Sequence, residues 1–107
     1  MDTRHRIHAE RLHPLSERLE ELFAQVVACG SQLPQELADE LAATAGEVMI
    51  ELADLGHDET VRAAMKDARR LREIARTLSP DPARLTRSGA ALARDIAMVI
   101  RSGRRAA

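Results

Sequence analysis

The chain has 107 residues, the length of one domain, with 45% hydrophobic and 31% charged positions. Phe23 is its one aromatic residue, and Glu, Arg, Ala and Leu dominate, which argues against a sheet, an aromatic cage or a base-stacking platform. The formal net charge of -1 speaks against a uniformly basic nucleic-acid binder, and the lone Cys29 excludes an internal disulfide.

In chain order, the segment Met1–Arg6 leads into no apolar run, so no leader is expected. No later stretch approaches the roughly 20 apolar residues of a membrane span, and a cytoplasmic protein is expected. Leu12, Leu15, Leu19, Leu22, Phe23 and Val26 recur at steps of three and four, the period of one helix face. Proline suits a first turn better than a helix interior, so the first main helix is expected over 14–29, closed by Gly30. Residues 3–12 then read as an extra helical turn or a kinked extension. A second helix is expected over 34–55, with Leu37, Leu41, Val48, Leu52 and Leu55 on one face and Gly56 as its stop. The third spans 58–78, with Asp58 as N-cap and Val61, Met65, Ala68, Leu71, Ala75 and Leu78 inward. Ser79-Pro80-Asp81-Pro82 breaks the chain, and a fourth helix over 82–102 carries Leu85, Leu92, Ile96, Val99 and Ile100 inward. Gly103 is expected to end it, leaving a basic tail over 103–107. Short connections force neighbours to run antiparallel, so the expected fold is a single-domain, all-α, up-down four-helix bundle.

Charge is segregated along the chain. Residues 1–57 carry four basic residues against eleven acids, giving -7, and residues 58–107 carry twelve against six, giving +6. On the second helix Glu36, Glu40, Glu47, Glu51 and Asp54 form an acidic stripe, while Ala38, Ala42, Gly46, Met49, Ile50 and Ala53 form a second apolar face. One such face is enough for a monomeric bundle. The second points to self-association with Ile50 as anchor, because small helical proteins commonly pair by two-fold symmetry. On the third helix Arg62, Arg69 and Arg76 recur every seven residues, widened by Lys66. On the fourth, Arg87, Arg94 and Arg101 do the same, extended by Arg84, Arg104 and Arg105. Such ridges can follow phosphates, although Asp67, Glu73 and Asp95 interrupt them and no helix-turn-helix is evident.

The histidines are His5, His8, His13 and His57, and an antiparallel bundle is expected to gather His13 and His57 at one end, with His5 and His8 leading into it. Glu10 precedes His13 by three residues and Asp54 precedes His57 by three, a spacing used by carboxylate-bridged metal bundles. Imidazole with carboxylate suits a divalent transition metal such as zinc, nickel or iron. No Ser-His-Asp ordering, phosphate loop or Cys-x-x-Cys is present, and no catalytic residue or cofactor is expected. The leading expectation is a non-enzymatic interaction or regulatory module, homodimeric or bound to another protein. A metal-binding bundle and a nucleic-acid binder follow it.

Overall fold

The computed structural model describes residues 3–106, with the side chains of Ile7, His8 and residues 10–102. Four helices, α1 (Thr3–Cys29), α2 (Gln35–Ala53), α3 (Glu59–Ala75) and α4 (Pro82–Ala106), follow one another through short connections. Each packs on its neighbours in the chain, and α4 returns against α1 to close a four-sided bundle. The direction of packing follows from side chains. His8 near the start of α1 meets Glu51 near the end of α2, and Arg18 farther along meets Glu40. Phe23 near the end of α1 lies over Gly89 near the start of α4. The fold is the expected antiparallel four-helix bundle, an elongated body of 46 × 20 × 18 Å.

Leu12, Leu19, Leu22 and Val26 of α1 bury against Leu41, Val48 and Leu52 of α2, Leu71 of α3, and Leu85, Leu92, Ile96 and Val99 of α4. These are the residues that the three-and-four spacing places inward. Ala64, Ala68 and Ala75 supply small buried contacts on α3. The caps follow local chemistry. Asp58 Oδ1 accepts from the Val61 N–H at 2.9 Å, and Asp81 Oδ1 accepts from the Ala83 N–H at 3.0 Å. Gly30 and Gly56 take positive φ angles of 66° and 97°, which glycine adopts at little cost where a helix stops.

Three boundaries differ from expectation by three residues or more, and α2 also ends early, at Ala53 with Asp54 as its C-cap rather than at 55. Helix α1 is continuous from Thr3, so residues 3–12 form no separate turn and Pro14 lies inside the helix. Pro14 has no N–H to give the preceding turn, a defect of about 3 kcal/mol in a helix interior. Packing on both sides outweighs it: Leu12 before the proline is fully buried, and Leu15 and Leu19 after it join the same core. Helix α3 stops at Ala75 rather than 78. The Thr77 N–H and hydroxyl both donate to the Ile74 carbonyl, at 3.2 and 2.8 Å, and Ser79 precedes a proline, which disfavours helical backbone. Leu78, expected inward, is 97% exposed. Helix α4 runs through Gly103 to Ala106, so the expected tail is helical to that point. A glycine costs a helix about 1 kcal/mol without forbidding it, and Arg and Ala are strong helix formers. The side chains of His5, Arg104 and Arg105 lie outside the described residues.

Candidate functional site

The second apolar face of α2 divides once the bundle forms. Ala38 is buried, and Ala42 and Met49 pack against the core. A methyl placed at Gly46 would meet nothing within 4 Å, so no helix of the bundle uses that opening. Ala53 is exposed and faces the α2/α3 side, beside His57. Ile50 is 66% exposed and borders a groove of about 280 Å³ between α1 and α2. Pro14 and Leu15 line that groove from α1. Arg11 stands on one bank, and Glu47 and Glu51 stand on the other. Ile7, also exposed, precedes Arg11 by four residues and Pro14 by seven, and so continues the same side of α1.

The structure separates the histidines proposed as metal ligands. His13 lines a groove between α1 and α4, beside Ala97 and Arg101, and its Nδ1 lies 3.2 Å from Glu17 Oε1. His57 lines a groove on the α2/α3 side, beside Val61 and Met65. Those grooves are on opposite sides of the bundle. Asp54 is met instead by His8, whose Nε2 lies 3.7 Å from Asp54 Oδ2, and Glu10 is exposed on α1. His8 is 8% exposed, and its Nδ1–H donates to Glu51 Oε1 at 3.0 Å. Arg11 Nη1 is 3.8 Å from the same carboxylate oxygen. Among the described residues no three His, Cys, Asp or Glu side chains converge to hold a metal. The His8 contact was hidden from spacing along the chain, because antiparallel register creates it.

The arginine ridges also divide. Arg62 and Arg69 border the α2/α3 groove, Arg87 faces the groove between α3 and α4, and Arg101 faces α1. Arg76 caps the end of α3, and Arg94 is exposed on α4. The α3/α4 groove, of about 460 Å³, brings together Arg70, Arg84 and Arg87 over Ser88. Arg70 and Ser88 were not singled out by heptad counting, which follows one helix rather than the facing sides of two. Asp67 borders the same groove. Burial pushes its carboxyl up from 3.8 to about 6, helped by a hydrogen bond and negative charge from Asp95, against the pull of Arg70 and Lys66.

The ion pairs that α2 makes run toward α1, away from the arginines of α3 and α4. Glu40 and Glu51 pair toward α1, through Arg18–Glu40 at 3.3 Å, His8–Glu51 and Arg11–Glu51. Among the described residues none of Arg70, Arg84 and Arg87 makes an ion pair or a hydrogen bond. Cys29 is a half-buried free thiol packed on the core. Among the described residues no helix is long and apolar enough to cross a membrane. Comparison with known protein families, with curated protein sequences and with solved structures gives no match to this chain.

Proposed function

We propose that the chain is a non-enzymatic helical interaction module that pairs with a second copy of itself through the α1/α2 groove. Ile50 carries this reading. It is a large aliphatic side chain, 66% exposed, beside Pro14 and Leu15. Burying such a side chain in full contributes about 1.5–3 kcal/mol, of which a monomer that leaves it 66% exposed forgoes about 1–2 kcal/mol. The groove is self-complementary in charge. Arg11 lies on the α1 bank and Glu47 on the α2 bank, so a two-fold rotation sets each against the other.

The test is the mass in solution, by light scattering across a concentration series. The parent is expected to approach twice the chain mass, and Ile50→Glu is expected to return it to one chain with its helical signal intact. A parent that stays monomeric at high concentration overturns the proposal. Metal binding and backbone tracking on nucleic acid have less support. His13 and His57 lie on opposite sides, and the two arginine ridges border different grooves.

A further inference from the structure

We propose that the groove between α3 and α4 is a binding site for a small organic phosphate, held by Arg70, Arg84 and Arg87 over the Ser88 hydroxyl. The site is independent of the α1/α2 groove, which lies on the other side of the bundle.

Two observations carry it. The first is three guanidinium groups gathered on one groove with no carboxylate in ion-pair contact among the described residues. Like charges brought together in this way repel, and an anion relieves the repulsion. The second is Ser88. It is 8% exposed, and its Oγ is buried with no hydrogen-bond partner. By contrast Thr44, Thr77 and Thr86 each donate to a backbone carbonyl three or four residues earlier, at 2.8, 2.8 and 2.9 Å. A buried hydroxyl without a partner is uncommon and calls for an explanation. Ser88 lines the arginine-rimmed groove, and its Oγ, closed to solvent as it stands, reaches an oxygen of a bound anion once χ1 turns toward the groove.

The donor set selects the chemistry. Guanidinium forks match a tetrahedral oxyanion with several acceptor oxygens, and a hydroxyl adds a fourth donor. A volume of about 460 Å³ exceeds what a bare ion fills. Ile74 and Ala91 provide apolar wall for an organic portion. Asp67 also lines the groove, and its carboxyl shares a hydrogen bond with Asp95. Asp67 and Asp95 together set two carboxyls, one of them acted on by Arg70, against three guanidiniums, which leaves the groove net positive.

The experiment is titration calorimetry at fixed pH and ionic strength, with inorganic phosphate, phenyl phosphate and a single-stranded DNA oligonucleotide as probes. Phenyl phosphate is expected to bind saturably at one site per chain, and more tightly than inorganic phosphate. Arg84→Ala with Arg87→Ala is expected to weaken it by at least about tenfold. Ser88→Ala is expected to weaken it by about three- to tenfold. The same Ser88→Ala change should leave the melting temperature of the ligand-free protein equal or higher, since it removes an unsatisfied group. Arg62→Ala with Arg69→Ala is the control and should leave binding unchanged. Absence of saturable phosphate binding overturns the site, as does equal weakening by both arginine pairs. Tight oligonucleotide binding that is lost equally with either pair overturns it in favour of a nucleic-acid surface. Each readout is separate from the mass measurement, so one proposal can fail without the other.

Discussion

Asp67 gives the bundle a pH dependence whose sign is opposite to that of most carboxylates. Its folded carboxyl titrates near 6 rather than 3.8, first because of burial and then because of Asp95. The folded state therefore holds this proton more tightly than the unfolded state does. Its contribution to stability is fully present below about pH 3.8 and is lost as pH rises through about 6. At about 1.4 kcal/mol per pH unit, the gap sets a ceiling of about 3 kcal/mol. The side chain is partly exposed and Arg70 and Lys66 stand nearby, so screening reduces the expected effect to about 1–2 kcal/mol. Asp67→Asn keeps a hydrogen-bonding group toward Asp95 and cannot ionise. It is expected to be more stable than the parent by about 1–2 kcal/mol near pH 7.5, with the difference vanishing near pH 4. Urea unfolding followed by far-UV circular dichroism measures this, and suits a chain with no Trp or Tyr. Reading the difference between variant and parent cancels the distant carboxylates, and leaves the Asp67–Asp95 pair as the quantity measured. A difference that stays constant from pH 4 to 7.5, or a less stable variant at the upper end, refutes the reasoning.

Further outcomes follow from single contacts. A methyl at Gly89 would overlap the tip of the Phe23 ring. Gly89→Ala is therefore expected to lower stability by about 1 kcal/mol, overpacking of about 1–3 kcal/mol outweighing the roughly 1 kcal/mol gained in helix propensity. Adding Phe23→Leu should restore it, and a thermal melt that finds Gly89→Ala stabilising in the parent background contradicts the close packing of α1 on α4. Pro14→Ala restores a backbone donor inside α1 and is expected to raise stability by about 1–3 kcal/mol, unless urea melts show no gain. His8→Ala removes a buried donor to Glu51 and should cost about 1–2 kcal/mol at neutral pH. His13→Ala, whose Glu17 contact is exposed, should cost under about 0.5 kcal/mol, and equal losses would speak against the register of α1 on α2.

The bundle was legible because its signals are local. Steps of three and four named the core, Asp58 named a cap, and Gly30 and Gly56 named the stops. The errors arose where tertiary packing overrules a local rule. Pro14 reads as a helix start until Leu12 is seen to be fully buried in the turn before it. The groove residues were present as a pattern too: Asp67, Arg70 and Ile74 share one side of α3, and Arg84, Arg87, Ser88 and Ala91 share one side of α4. Spacing alone does not say which neighbour such a side faces. That depends on the order of helices around the bundle, which short connections leave open between two hands. Counting by sevens therefore joined Arg87 to Arg101, although one faces α3 and the other α1.

The division of charge makes the two-fold pairing testable by salt. Residues 1–57, which form α1 and α2, carry four basic residues against eleven acids, or -7, and residues 58–107 carry +6. Pairing through the α1/α2 groove brings two like-charged halves together. In the proposed pair, close contacts at Ile50 and between Arg11 and Glu47 would favour association, while the longer-range field would oppose it. Salt screens the second effect more than the first, since the Debye length falls from about 30 Å at 0.01 M to about 8 Å at 0.15 M. Two-fold association is therefore expected to tighten as salt rises over this range. A head-to-tail contact, acidic half on basic half, behaves in the opposite way: it weakens with salt and adds further copies without closing. Sedimentation equilibrium at the two salt levels separates these cases. Tightening toward a closed dimer fits the α1/α2 groove, and weakening from open-ended assemblies at low salt would assign self-association to the acidic and basic faces instead.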